Sequence, residues 1–393
     1  MNSPNPVVRL AIVGCGARAT IAAHAISSQR ALIAAYVDPV SSASRSLAER
    51  LDAPAPHFAS VTELLDSDTA VDAALVLSPD DTHAAVATDL LTRGVAVYLE
   101  KPITISTADA DAVLAAAARH GTKLYVGHNM RHMSVVRTMR EIITRGEIGE
   151  VKAIWCRHFV GNGGDFYFKD WHADRTRSTG LLLQKGAHDI DVIHWLAGGY
   201  TTRAVGMGAL TLYGDIVDRR DNSDRSMPDW FDMDNWPPLT QRELNPVIDV
   251  EDLSMVQLQL DNGVFASYQQ CHYTPDYWRN YTVIGTEGRI ENFGDTAGGV
   301  VRLWNRRHTY QAEGDREYPI GGDESGHGDA DQDTMTEFLD FLGHGGSTVT
   351  SPVAARNAVA AAVAATESLR DSSIPREVPP LPQDVAAHFR AQP

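Results

Sequence analysis

Cysteine is scarce in this chain: only three occur, Cys15, Cys156 and Cys271, among 393 residues. They show no metal-ligand spacing and cannot all pair with one another. That excludes a disulfide scaffold and a cysteine-built zinc site, and it fits reduced thiols in a cytoplasm. Long apolar runs are missing as well. No stretch approaches the roughly 18 uninterrupted apolar residues that a membrane span needs. Met1 to Arg9 has no charged leader followed by an apolar segment, so no secretory signal is visible. Positive charge is in short supply, with 34 Lys and Arg against 51 Asp and Glu and a formal net charge of −17. A nucleic-acid partner requires a basic face, so that class of function drops out, while a local cationic pocket for an anionic substrate stays open.

What remains is the composition of an ordinary globular chain, 43% hydrophobic and 22% charged. Its length calls for two or three domains rather than one core. Short apolar runs read as buried strands: Arg9 to Val13, Ala31 to Val37, Ala73 to Leu77, Ala96 to Leu99 and Lys123 to Val126. Between them, Ser42 to Leu51, Thr82 to Thr92 and Ser106 to His120 carry apolar residues at helical period. This alternation predicts an α/β domain over residues 1–130, a doubly wound parallel sheet with helices on both faces.

After Arg131 the texture changes. A helix over Ser134 to Arg145 ends at the turn Gly146 to Gly149, and a strand from Val151 to His158 follows. Val160 to Thr179 reads as a loop rich in Gly, Asp and aromatic residues. A second helix, Ala187 to Leu196, stops at Gly198-Gly199. Strand-like runs then dominate as far as Ile320, among them Asp252 to Leu260, Val264 to His272, Asn280 to Gly285 and Val300 to Trp304. They predict an open, largely antiparallel sheet in a second, α+β domain over residues 131–393. Asp215 to Pro246 interrupts it as an acidic loop or lid. The alanine-rich run Pro352 to Leu369 is expected to be a helix that packs back on the first domain.

Gly14-Cys15-Gly16-Ala17-Arg18-Ala19 directly follows the first strand and opens a helix. Gly14 allows the tight turn, Gly16 lets the backbone approach a pyrophosphate, and the small Ala19 permits close helix–strand packing. Asp38 ends the second strand, where a carboxylate can accept bonds from both ribose hydroxyls and repel a 2′-phosphate, favouring NAD over NADP. Arg18 could neutralise pyrophosphate charge or simply be solvated. Ala17, Ser78 and Glu100 complete the candidate cofactor contacts. Glu100-Lys101-Pro102 follows the strand Ala96 to Leu99, at the carboxyl edge where such sheets place ligands. Lys101 can there bond a substrate hydroxyl or the nicotinamide ribose, or form a surface pair with Glu100.

Together with Lys185-Gly186-Ala187-His188-Asp189-Ile190-Asp191, these motifs resemble the Gfo/Idh/MocA family, which includes glucose–fructose oxidoreductase and inositol dehydrogenase. The resemblance covers nearly the whole chain. It implies a Rossmann domain, an open-sheet second domain for substrate binding and oligomerisation, and face-to-face dimers or tetramers. It also implies that Lys101 belongs to the catalytic site and that His188 is the active-site histidine. One position departs. Inositol-dehydrogenase-like members carry an aspartate four residues before that histidine, and here the position is Gln184, followed by Lys185. Glutamine cannot act as a base, so proton transfer must rest on His188, Lys185, Lys101 or a tyrosine. Lys185 could also clamp a developing alkoxide.

Two stretches are expected to line the substrate cleft, Gly127 to His132 with His128 and Arg131, and Phe166 to Arg175 with Lys169, Trp171, His172 and Arg175. Aromatic faces mixed with cationic forks suit sugars. Arg131, Arg157, Lys169 and Arg175 together could form a positive pocket for an anionic sugar. His327 is placed at the same cleft by resemblance, and no metal site is expected. The expected activity is NAD-dependent oxidation of a secondary hydroxyl on a sugar or glycoside by a cytoplasmic enzyme. The alternative is a redox-neutral, NAD-dependent glycoside hydrolase that oxidises, eliminates, hydrates and reduces, acting on a sulfonated or uronic glycoside such as a sulfoquinovoside. No paired carboxylates of an ordinary glycosidase can be assigned.

Overall fold

The apolar runs at the start of the chain become six strands: β1 (Val8–Val13), β2 (Ala31–Val37), β3 (His57–Phe58), β4 (Ala73–Val76), β5 (Ala96–Leu99) and β6 (Leu124–Val126). They lie in the order β3-β2-β1-β4-β5-β6 and pair in parallel throughout. That is the strand order of a dinucleotide-binding doubly wound sheet. Every residue of β4 and β5 is buried, as a sheet covered by helices on both faces requires. The computed structural model describes residues 7–322 and 329–391.

The described residues divide into two units. The first falls within Met1–Asn129, Asp331–Arg356 and Leu381–Pro393, the second within Met130–Ala330 and Asn357–Pro380. The simple division at residue 130 therefore misses two segments that return to the first unit. The cause is packing. A helix over Ala330–His344, which the sequence pattern did not predict, places Met335, Phe338 and Leu339 in the same core as Leu10, Tyr98 and Tyr125. The Phe338 ring lies 5.4 Å from Tyr98 and 5.7 Å from Tyr125. Each side chain of this size contributes about 1.5–3 kcal/mol by leaving water. Lys123 donates to the Phe341 and Leu342 carbonyls at 2.9 and 2.7 Å, which satisfies the end of that helix. The later helix, Pro352–Arg370, begins in the first unit, where Arg356 pairs with Asp111 at 2.6 Å. Its further course packs on the second sheet, with the Ala365 carbonyl against Gly206.

The second unit is built on nine strands: β7 (Val151–Val160), β8 (Thr201–Ala209), β9 (Leu253–Leu260), β10 (Phe265–Cys271), β11 (Tyr277–Gly285), β12 (Arg289–Phe293), β13 (Val300–Trp304), β14 (Arg316–Pro319) and β15 (Arg376–Glu377). Their order is β14-β13-β12-β11-β7-β10-β9-β8-β15. Only β10 and β7 pair in parallel, so the sheet is largely antiparallel. One face is covered by the Gly186–Ala197 helix, and along β7 burial alternates so that Cys156, His158 and Val160 face that helix. The stretch 160–179 is not a plain loop, since it folds into three short helical turns at Gly163–Tyr167, Trp171–Ala173 and Arg175–Ser178.

Candidate active site

In the first unit the glycine turn is built by close backbone approach. Gly14 has φ of +88°, and a Cβ there would lie 2.5 Å from the Ser78 amide nitrogen. The strand ends of β1 and β4 can meet only because position 14 is glycine. Gly16 differs: apart from its chain neighbours, a Cβ there would meet none of the described residues within 4 Å, so the surface beside the exposed Ala17 is open for a pyrophosphate to approach. Ala19 is fully buried against the sheet, as close helix–strand packing demands. Asp38 stands at the end of β2, its Oδ2 accepting from the Cys15 amide at 2.9 Å and its Oδ1 from Val40 at 2.8 Å. The turn and the carboxylate are thus one hydrogen-bonded element. These residues fit NAD: the glycines admit the pyrophosphate and Asp38 keeps lone pairs for ribose hydroxyls.

Arg18 is committed within the protein. It donates to Glu100 at 3.0 Å and forms a two-pronged pair with Asp331 at 2.7 and 2.9 Å. Burial opposes its charge, but Glu100 and Asp331 outweigh that and hold its pKa above the usual arginine range. It clamps the glycine turn to the end of β5 and to the Ala330–His344 helix. Asn129 reaches the same Asp331 at 2.6 Å. His83, absent from the sequence expectations, ties the ligand edge together. Its fully buried ring contacts the Pro102 carbonyl through Nδ1 at 2.8 Å and the Ser78 carbonyl through Nε2 at 2.9 Å. Lys101 precedes that proline across a cis peptide bond. His128 follows β6 and is buried.

The second unit gathers Lys185 and three residues the sequence did not single out. Lys185, only 7% exposed, ends the Leu181–Gln184 turn after the buried Gln184. Its ammonium lies 5.8 Å from the Tyr167 ring and 5.6 Å from the Tyr277 ring. Among the described residues no carboxylate is within ion-pair distance of it. Beside it stand His158 and His272, both wholly buried. Among the described residues, neither nitrogen of His272 nor Nε2 of His158 has a hydrogen-bond partner. Tyr167 meets His272 edge-on at 5.3 Å and His172 at 5.4 Å, which brings His172 and the stacked Trp171 to the rim of the cluster.

Beneath the cluster lies Asp189. It accepts from His158 Nδ1 at 3.0 Å, from Tyr268 at 3.0 Å and from Tyr281, and the Arg279 guanidinium is 3.1 Å away. Burial alone would raise the Asp189 pKa, but His158, Arg279 and the donors outweigh it and hold the carboxyl well below its usual range. Burial and the Arg279 charge push His158 down to about 3. Burial, with His158 and Lys185 nearby, depresses His272 as well. The set is therefore an ionised carboxylate, neutral imidazoles and two cations. His188, one residue earlier on the helix, is also buried.

The four cations expected to form an anion pocket do not converge. Arg131 makes two 2.7 Å bonds to Asp191 in the core, and Lys169 is paired to Asp165 at 2.9 Å. Arg175 is paired with Asp249 on the surface at 3.0 Å. Arg157 lies on the opposite face of β7 from His158, half exposed and bonded to Asn280. The period of a strand is two, so choosing position 157 rather than 158 chose the wrong face. His327 lies outside the described residues. The signals that could have found the missed groups were slight: Asp189 within the helix motif, and histidines ending buried strand runs at 158 and 272.

Residues 8–128 match the oxidoreductase family with an NAD-binding Rossmann fold, and residues 136–291 match the GFO/IDH/MocA C-terminal domain. The chain is 30% identical over 195 residues to 2,7-anhydro-N-acetylneuraminate hydratase of Mediterraneibacter gnavus, covering 49% of this chain and 50% of that one. It is 26% identical over 199 residues to inositol 2-dehydrogenase of Ralstonia nicotianae, covering 49% and 55%. The match thus spans about half the length of these curated relatives. Levoglucosan dehydrogenase, solved with NADH and levoglucosan, superposes with a TM-score of 0.77 at 16% identity over 95% of this chain and all of that one, and so shares the fold. With both halves matched and a Rossmann sheet whose glycine turn and Asp38 fit NAD, the chain belongs to the Gfo/Idh/MocA oxidoreductase family.

Proposed function

We propose that the protein oxidises a secondary hydroxyl of a sugar or glycoside with NAD. The observation that carries this reading is the buried Lys185, His158 and His272 set, roofed by tyrosine rings and holding polar atoms with no partner among the described residues. Burying an ammonium without a counter-charge costs several kcal/mol, and orphaned polar atoms add to that. A hydroxyl-rich ligand offsets both, and aromatic rings suit the apolar faces of a sugar. NAD, when bound, supplies the hydride acceptor. His188 takes the hydroxyl proton, and Lys185 stabilises the negative charge that develops on that oxygen.

The similarity to 2,7-anhydro-N-acetylneuraminate hydratase favours a second reading, a redox-neutral, NAD-dependent glycoside hydrolase that oxidises, eliminates, hydrates and reduces. The test is a panel of neutral and anionic sugars with their aryl glycosides, reading NADH absorbance and aglycone release in parallel. NADH formed in proportion to sugar consumed supports the dehydrogenase. Catalytic aglycone release that requires NAD without net NADH supports the second reading. Silence in both channels across the panel overturns the sugar reading itself.

A further inference from the structure

Strand alternation turns His158 inward on β7, towards the Gly186–Ala197 helix that carries Asp189. The ring is fixed at one end only. Nδ1 lies 3.0 Å from Asp189 Oδ2, and an ionised carboxylate can only accept, so Nδ1 carries the proton. The Tyr268 hydroxyl, 3.4 Å from the same nitrogen, gives its own proton to Asp189 or Gln270, both 3.0 Å away. Nε2 is therefore left as a lone pair, fully buried and without a partner among the described residues. Around it stand Tyr277 of β11, edge-on at 5.5 Å, with Lys185 at the helix start and His272 just past β10.

The charges facing the ring keep it neutral. Arg279 from β11 and Lys185 from the helix start oppose a second proton, and burial opposes it further, so that the ring takes up a proton only near pH 3. An effective proton acceptor needs a pKa near the working pH, which removes His158 from that role. A neutral, rigid acceptor in a buried cluster has a different use. It pairs with a group that donates, and it repels a carboxylate or sulfonate placed there.

We propose that His158 Nε2 is a specificity-determining acceptor for one non-reacting hydroxyl of the substrate, with Asp189 as the positioning residue that sets its tautomer. The proposal rests on the reading that this cluster binds a sugar. Lys185 has donors and no acceptor, so His158 supplies the acceptor half of the recognition pattern. A site built to hydrogen-bond a hydroxyl rejects the analogue lacking it, because the buried partner is then left unpaired.

The test uses the full-length protein and the sugar that the panel identifies, with its complete monodeoxy and mono-O-methyl series. One position other than the oxidised one is expected to lose on the order of 100-fold in kcat/KM when its hydroxyl is removed. His158→Phe should erase that contrast, leaving the parent and that deoxy sugar within about threefold, while His158→Gln, which retains an acceptor, should restore part of it. Calorimetric binding of the same two sugars should show the same collapse. The wild-type contrast should not vary between about pH 6 and 9, since the ring does not titrate there. A variant that slows every sugar equally, a contrast that survives His158→Phe, or a deoxy series with no costly position each overturns the proposal, and the last needs no variant to fold. If no sugar binds at all, the underlying reading falls, which is a different result from a sugar bound without this discrimination.

Discussion

A Cβ on Gly14 would fall 2.5 Å from the amide nitrogen of Ser78. The first turn of the Rossmann sheet and the end of its fourth strand therefore touch backbone to backbone, and position 14 also needs φ of +88°. Gly14→Ala carries both a steric and a conformational penalty. NAD affinity, followed by fluorescence titration, should drop by about tenfold or more, with a lower melting temperature. Gly16→Ala meets none of the described residues within 4 Å beyond its chain neighbours, so it should leave stability nearly unchanged and weaken NAD alone. Equal losses of stability in the two variants would contradict this division of roles.

His83 offers a second test. It links the Ser78 and Pro102 carbonyls, and the residue before Pro102 is Lys101. The ring's N–H donates to one of these carbonyls, so His83→Phe removes a side-chain bond of about 0.5–1.5 kcal/mol. Denaturant midpoints should fall accordingly, kcat should fall with them, and His83→Gln should recover part of the loss. A His83→Phe enzyme with normal NAD affinity and kcat would show that this clamp does not position Lys101.

The Arg131 and Arg175 pairs separate core from surface. Arg131 and Asp191 have side-chain exposures of 6% and 1%, so Arg131→Ala leaves a buried carboxylate uncompensated, at a cost of about 3–5 kcal/mol. Arg175 and Asp249 are 46% and 36% exposed, and Arg175→Ala should change stability by less than about 0.5 kcal/mol. Neither change should alter the preference between neutral and anionic sugars. A selective loss of anionic sugars in Arg175→Ala would restore the anion pocket.

Acid should destabilise the protein through its buried histidines. Burial lowers His194 to about 4, and burial with Arg279 lowers His158 to about 3, while in the unfolded chain both titrate near 6.5. Between those values the unfolded chain binds protons that the folded chain does not, so stability rises with pH there. The contribution is complete above about pH 6.5 and declines as pH falls towards 4. Asp189, depressed by its donors, adds a further loss below the ordinary carboxylate range. Urea midpoints measured from pH 7.5 down to 4.5 should decrease steadily, and His194→Gln should flatten the slope. A midpoint that holds or rises on acidification would refute it.

Hydrophobic periodicity and glycine spacing determined a good deal by themselves. Strands β1, β2, β4 and β5, the turn at Gly14 and the carboxylate at Asp38 are all written locally, because alternation of buried strand and amphipathic helix needs no knowledge of partners. The Lys185 to Asp191 motif likewise marked the helix on which the buried cluster stands. Tertiary structure decided the rest, for reasons of distance along the chain. Which of Arg157 and His158 faces inward depends on strand register against β10 and β11, more than a hundred residues away. Whether a cation is free depends on distant carboxylates, as when Asp331 claims Arg18 and Asp191 claims Arg131. The Ala330–His344 helix joins the Rossmann core because Tyr98 and Tyr125 present a surface for Phe338. Local sequence fixes which way the backbone turns, but burial and pairing are properties of the assembled chain, and they decide which polar groups remain for a ligand.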